Sequence, residues 1–186
     1  YMNHKKRFLI LTSDSGFGHR SAARSVQKAL EALAPEQVDI LIIGAGISGI
    51  GLAVHLSKKC PQRKFEILER RDSFGGTWDL FRYPGIRSDS DMSTFGFNFK
   101  PWAKDKVLAS GAEIKGYLSD VISENQLKDK IHFGHRVLSA NYDSTKKKWL
   151  VEIEDNNKKK QIWSANFVMG CTGYYNYDQG YAPKFP

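Results

Sequence analysis

An apolar run, Val38-Asp39-Ile40-Leu41-Ile42-Ile43, passes without a break into Gly44-Ala45-Gly46-Ile47-Ser48-Gly49. A helix-like stretch follows, then a second short apolar run ending at Glu69, 20 residues past Gly49. A GxGxxG alone is weak. Preceded by a strand, opening a helix and answered by an acid at that distance, it fits a βαβ unit that holds a dinucleotide. Gly44 permits the tight turn, Gly46 lets the backbone approach a pyrophosphate, and Gly49 lets the helix pack near the strand. Ala53 continues that small-residue face. The first helical turn offers unpaired N–H groups and partial positive charge to phosphates. Glu69 is placed to accept from ribose hydroxyls and disfavours a 2′-phosphate, so FAD or NAD is expected rather than NADP. The competing explanation is a glycine-rich turn in an α/β protein without a nucleotide.

With 186 residues the chain can build one good core and an appendage. Cys60 and Cys171 are its only cysteines and have no metal-ligand spacing. A disulfide framework is therefore not expected, no metal is assigned, and a reducing, cytoplasmic setting fits. No stretch of 18 apolar residues suggests a membrane span. The net charge of +8 suits anionic ligands. Yet Lys146 to Lys148 and Lys158 to Lys160 each follow turn-like residues and read as solvated hairpin tips. No interleaved aromatics make them a nucleic-acid patch. Tyr1 ahead of Met2, and an ending at Phe185-Pro186, suggest a fragment at both ends.

Along the chain, Arg7 to Thr12 is a strand candidate, and Ser13 to Gly18 a turn. Ser21 to Leu33 is a helix with Ala22, Ser25, Val26, Ala29, Leu30 and Leu33 on one face. Pro35 stops it. The dinucleotide helix is expected over Ile50 to Lys59, and an irregular stretch over Ser73 to Pro101 with a turn at Pro84-Gly85. Ile114, Tyr117, Leu118, Val121 and Ile122 define an amphipathic helix. Strands are expected at Ile131 to Tyr142, Trp149 to Glu154, Gln161 to Ser164 and Asn166 to Cys171. In the second of these, Trp149, Val151 and Ile153 form the apolar face.

Five motifs together carry a family resemblance: Gly44 to Gly49, Glu69, Gly75-Gly76-Thr77-Trp78, Arg82-Tyr83-Pro84-Gly85 and Cys171-Thr172-Gly173-Tyr174-Tyr175. Over Val38 to Pro186 the chain resembles FAD-containing Baeyer–Villiger monooxygenases, within the wider flavin-containing monooxygenases. The resemblance implies an α/β fold: a Rossmann-like FAD-binding parallel sheet with a β-meander, here incomplete, plus an extra N-terminal βα unit. It implies that Gly44, Gly46 and Gly49 hold the pyrophosphate, with Ser48 also at the cofactor, and that Glu69 holds the adenosine ribose. Arg70 would lie near the adenine, and Val137 would touch it through its backbone. Gly76, Thr77 and Trp78 would line the flavin side, and Thr172 and Gly173 would close the site. Asp89 matches a family acid near the flavin that helps position a catalytic arginine, an electrostatic role. A turn residue for Asp89, and core packing for Trp78, are the competing roles.

The departures are as informative. The family's second glycine-rich motif, for NADPH, is missing, as are its later histidine- and tryptophan-containing signature and the catalytic arginine. The expectation is an FAD cradle with a small-molecule substrate in the intact family, NADPH only there, and no NADPH-driven oxygenation by this chain alone. Its oligomeric state stays open.

Phe8 to Ala23 is unlike that family's usual leader and resembles the opening of glycosyltransferases that make monogalactosyl- or glucosyl-diacylglycerol. There His19 would be a candidate active-site residue; a histidine capping a turn is the plainer role. The domains expected are thus 1–37, a glycosyltransferase-like βα unit, and 38–186, a partial FAD-binding domain. Alternatives are a lipid glycosyltransferase fragment using a nucleotide sugar, a nonfunctional fusion of the two, and a two-dinucleotide reductase. The N-terminal unit is expected to dock away from strand 38–43, both of whose flanks the FAD fold fills with strands 65–69 and 166–171, or to be loosely held.

Overall fold

The computed structural model describes residues 40–175, together with Ala182, Pro183 and Phe185. The strand at 7–12, the helix at 21–33 and His19 lie outside the described residues. Ile40–Ile43 (β1) is a short buried strand, and Ile47–Lys59 (α1) leaves its end after three connecting residues. The helix begins three residues earlier than its sequence pattern suggests. Gly46 takes an extended conformation and acts as its N-cap, so Ile47 to Gly49 join the first turn. Lys58 and Lys59 sit in the last turn, where their charge complements the helix dipole.

Phe65–Leu68 (β2) runs parallel to β1 with Ile40 opposite Phe65. Phe167–Gly170 (β7) pairs with the other side of β1, also parallel, with Ile40 opposite Phe167. Ile131–His132 (β3) extends the sheet beyond β2, giving the order β3-β2-β1-β7. Both flanks of β1 are therefore filled, as the sequence reading requires.

Arg136–Asp143 (β4), Lys148–Glu154 (β5) and Lys160–Ala165 (β6) form a separate antiparallel meander. One expectation needs correcting here: Ile131 to Tyr142 is two strands in two sheets. Gly134 has φ +66° and breaks the run, while its N–H donates to Arg71 O. His135 N–H then donates to Glu69 O, which pins the crossover beside the end of β2. The hairpin tips are as expected. Asp143 Oδ1 accepts from the N–H of Thr145 and of Lys146, each at 2.9 Å, and Asp155 Oδ1 does the same for Asn157 and Lys159. These side-chain turns carry the lysine runs into solvent.

The stretch 73–101 is less irregular than its composition suggests. It contains two single-turn helices, Thr77–Leu80 (α2) and Met92–Phe95 (α3), the second capped by Asp91 accepting from Thr94 N–H. Gly111–Glu124 (α4) follows, opened by a reciprocal capping box between Ser110 and Glu113. Its five predicted apolar positions are all buried. At roughly 1.5–3 kcal/mol for each large apolar side chain fully buried, that stripe holds the helix to the core, Ile114 beside Met92 and Ala109 and the other four in the cluster shared with α1.

Strand alternation sorts the core into layers. Ile40, Ile42, Ile67 and Met169 face α1 and α4, joining Ala53, Val54, Leu118 and Val121 in one cluster. Leu41 and Leu68 face the other way and meet Val151, Ile153 and Ala165 of the meander. Helices, parallel sheet and meander thus form three layers, and the carboxyl ends of β1, β2 and β7 open on one side.

Candidate functional site

At those carboxyl ends lies a cavity of about 370 Å³, a size usual for small-molecule sites. Its floor is the β1–α1 turn. Gly44 has φ +107°, and a Cβ there would come within 2.6 Å of the Cys171 carbonyl oxygen, so only glycine closes the turn against β7. At Gly49 a Cβ would fall 1.9 Å from Gly44 O, which lets the helix start directly on the strand end. Gly46 differs. A Cβ there would meet nothing closer than 3.7 Å, and it would point toward Gly76. The Gly46 backbone thus borders the cavity with Gly76 in ordinary van der Waals range of where a side chain would begin.

The amides of that first turn have no side-chain cap, and the turn itself contains no acidic residue. They present donors and partial positive charge to the cavity, the chemistry of an anion site. Glu69 is 93% buried by its 7% exposure and lines the wall. Its Oε2 accepts from Ala45 N–H at 2.8 Å and its Oε1 from Arg71 N–H at 3.0 Å. The carboxylate therefore locks the glycine loop to the end of β2, and it retains lone pairs for further donors.

Of the residues singled out from sequence, Gly44, Gly46, Ser48, Glu69, Arg70, Gly76, Thr77, Trp78, Val137, Thr172 and Gly173 all line this one cavity. They come from five separate stretches of chain. Gly49 sits beneath it in a packing role, and Asp89 lies exposed on the surface outside its lining. Trp78 does two things: it borders the cavity and packs edge-on against Phe95, with centroids 5.7 Å apart. Cys171 also lines the wall, and burial pushes its thiol up to about 12. It stays protonated and unreactive at neutral pH.

Sequence reasoning passed over one residue. Asp79 has a side chain only 2% exposed and is bound by two cations. Arg71 Nη2 lies 2.5 Å from its Oδ2, and Lys115 Nζ of α4 donates to its Oδ1. Arg82 stands farther off at 3.9 Å. Burial alone would raise this carboxyl, but the Lys115 hydrogen bond and the adjacent Arg71 charge outweigh it and hold it below the usual carboxylate range. The only trace in sequence is Arg82 three positions on; Lys115, 36 positions away, gives none. Among the described residues no group of His, Cys, Asp and Glu is disposed to hold a metal ion.

Comparison with known proteins agrees with this geometry. Residues 42–107 match the NAD(P)-binding Rossmann-like domain family. The chain is 97% identical over 151 residues to a probable FAD-binding monooxygenase, AlmA, of an Acinetobacter species, covering 81% of this chain and 30% of that protein. It is 51% identical over 151 residues to the FAD-containing monooxygenase EthA of Mycolicibacterium smegmatis, with the same coverage of each. The crystal structure of OTEMO in complex with FAD and NADP superposes with a TM-score of 0.66 at 26% identity, over 80% of this chain and 27% of that one. None of these matches supports the glycosyltransferase resemblance of the first 37 residues. The chain spans about 30% of the length of the curated relatives it matches. Over most of its own length, it is homologous to the N-terminal portion of FAD-binding monooxygenases.

Proposed function

We propose that residues 38–186 form the FAD cradle of a monooxygenase that oxygenates ketones or sulfur compounds in the Baeyer–Villiger manner. The single observation that carries this is the one cavity lined together by the start of α1, Glu69 and the Gly76–Trp78 rim. The residues fit the group. Gly44 and Gly46 bring bare backbone to the cavity, and the walls carry three arginines against one carboxylate. That balance suits a diphosphate. Gly44, Gly46 and Ser48 would bind the diphosphate, Glu69 the ribose, Arg70 and Val137 the adenine end, and Thr77, Trp78, Thr172 and Gly173 the flavin end.

When bound, FAD supplies the redox chemistry that activates oxygen. This chain's own groups bind and orient it. Glu69 holds the loop in register, and Trp78 shields one end of the cavity from water. Asp89 as a support for a catalytic arginine belongs to this reading, in an intact protein that brings that arginine and the NADPH site. So do a division of the chain near residue 37 and a cytoplasmic setting, which the two buried free cysteines suit. No helix among the described residues is long and apolar enough to cross a membrane.

The test is direct. Purified chain incubated with FAD and passed through a gel-filtration column is expected to elute with flavin absorbance, displaced by excess ADP. Protein eluting colourless at every FAD concentration would contradict the reading.

A further inference from the structure

The ion cluster around Asp79 reaches the cavity through one member, Arg71. Its carboxylate is almost fully buried behind Gly75, where a Cβ would lie 3.1 Å from Asp79 Cβ. Of its cations, Lys115 anchors from α4 and lies outside the cavity lining, while Arg71 lines the cavity itself. The Arg71 guanidinium is held at two points: Nη2 on Asp79 Oδ2 at 2.5 Å, and Nη1 donating to Gly76 O at 3.5 Å. Its backbone is fixed as well, by the N–H on Glu69 Oε1 and the carbonyl oxygen accepting from Gly134. Gly76 in turn abuts Gly46, since a Cβ on Gly76 would lie 3.2 Å from Gly46 Cα. The guanidinium is therefore tied to Gly76, the residue that abuts Gly46 of the glycine turn.

Charge decides what this arrangement does. One carboxylate faces Arg71, Lys115 and, more distantly, Arg82, so the cluster keeps a positive surplus that Asp79 does not cancel. A guanidinium has five donors in a planar fork, and one ion pair with Asp79 and one hydrogen bond to Gly76 leave donors for an anion. A carboxylate only 2% exposed is a weak stability device, because its desolvation offsets much of its attraction. Fixing the direction of an arginine is a use that its position supports.

We propose that Asp79 is a positioning residue, which together with Lys115 aims the Arg71 guanidinium at the diphosphate of the bound dinucleotide. This rests on the FAD-cradle reading and assigns the phosphate contact within it. Arg71 supplies a charge-assisted hydrogen bond to a phosphate oxygen. Asp79 never touches the ligand and acts only through Arg71.

The experiment measures ADP and adenosine affinity of the full chain by competition against FAD. Both compounds reach the Glu69 end of the cavity, but only ADP carries the diphosphate. Arg71→Met is expected to weaken ADP by about tenfold or more, the scale of a lost charge-assisted hydrogen bond, and to leave adenosine unchanged. Asp79→Asn is expected to weaken ADP with Arg71 present and to add nothing in the Arg71→Met background, the non-additivity of two residues acting as one. Lys115→Met, a change at a partly exposed position, repeats the Asp79→Asn pattern more weakly and covers the case in which that variant does not fold. Equal losses for ADP and adenosine, additive effects of the two substitutions, or unchanged ADP affinity in Arg71→Met would each overturn the proposal. An unsubstituted chain that binds neither FAD nor ADP overturns the cradle reading, and this inference with it.

Discussion

Three glycines in one turn answer to three different constraints, and they separate folding from binding. Gly49 is required by the chain itself, because a Cβ would sit 1.9 Å from Gly44 O. Gly46 meets no such conflict at 3.7 Å. Gly49→Ala is therefore expected to cost roughly 1–3 kcal/mol or more in stability, the scale of forced overpacking. Gly46→Ala should leave the urea midpoint close to that of the parent and weaken FAD about tenfold, or about 1.4 kcal/mol. Urea melts and FAD titrations on the two variants check this; a Gly46→Ala chain that binds normally would remove the diphosphate from Gly46. The glycines and Glu69 were legible in sequence because their spacing is fixed by the turn they build. Asp79 was not. Its partners come from a loop and from a distant helix, and nothing in a linear pattern brings Lys115 to it.

Among the elements, α4 shows how a local signal becomes a stability device. Ser110 Oγ accepts from Glu113 N–H at 3.3 Å, and Glu113 Oε2 accepts from Ser110 N–H at 2.9 Å. That backbone hydrogen bond, then the Ser110 hydroxyl, then Lys106 hold the Glu113 carboxyl down at about 2. An unfolded glutamate titrates near 4.3, so the folded value is depressed. The contribution is whole above that unfolded value and is lost as pH falls through the folded one. The urea midpoint of Glu113→Gln relative to the parent is thus expected to differ by a constant amount near neutrality and to converge as pH drops from about 4 toward 2. A difference that grows in acid would refute the capping role. The amphipathic stripe of α4 and the apolar face of β5 were readable from period alone. The division of 131–142 was not, because both strands share one β-favouring composition, and the positive φ of Gly134 and its hydrogen bond to the distant Arg71 separate them.

For the whole molecule, the order β3-β2-β1-β7 with a meander on one face and helices on the other follows from strand alternation and parallel pairing. The sequence could place the sheet's centre because β1 carries the motif and has two matching apolar neighbours. It could not size the parts between them, since one-turn helices such as α2 and α3 leave no periodic trace. The central claim is that a dinucleotide's diphosphate rests on the amides opening α1. Hydrogen–deuterium exchange of the chain with and without FAD tests it most directly. The account predicts that bound FAD slows exchange at the amides of Gly46 to Gly49 more than anywhere in the meander's hairpin tips. Binding of FAD that leaves those amides exchanging at their free rate would contradict it.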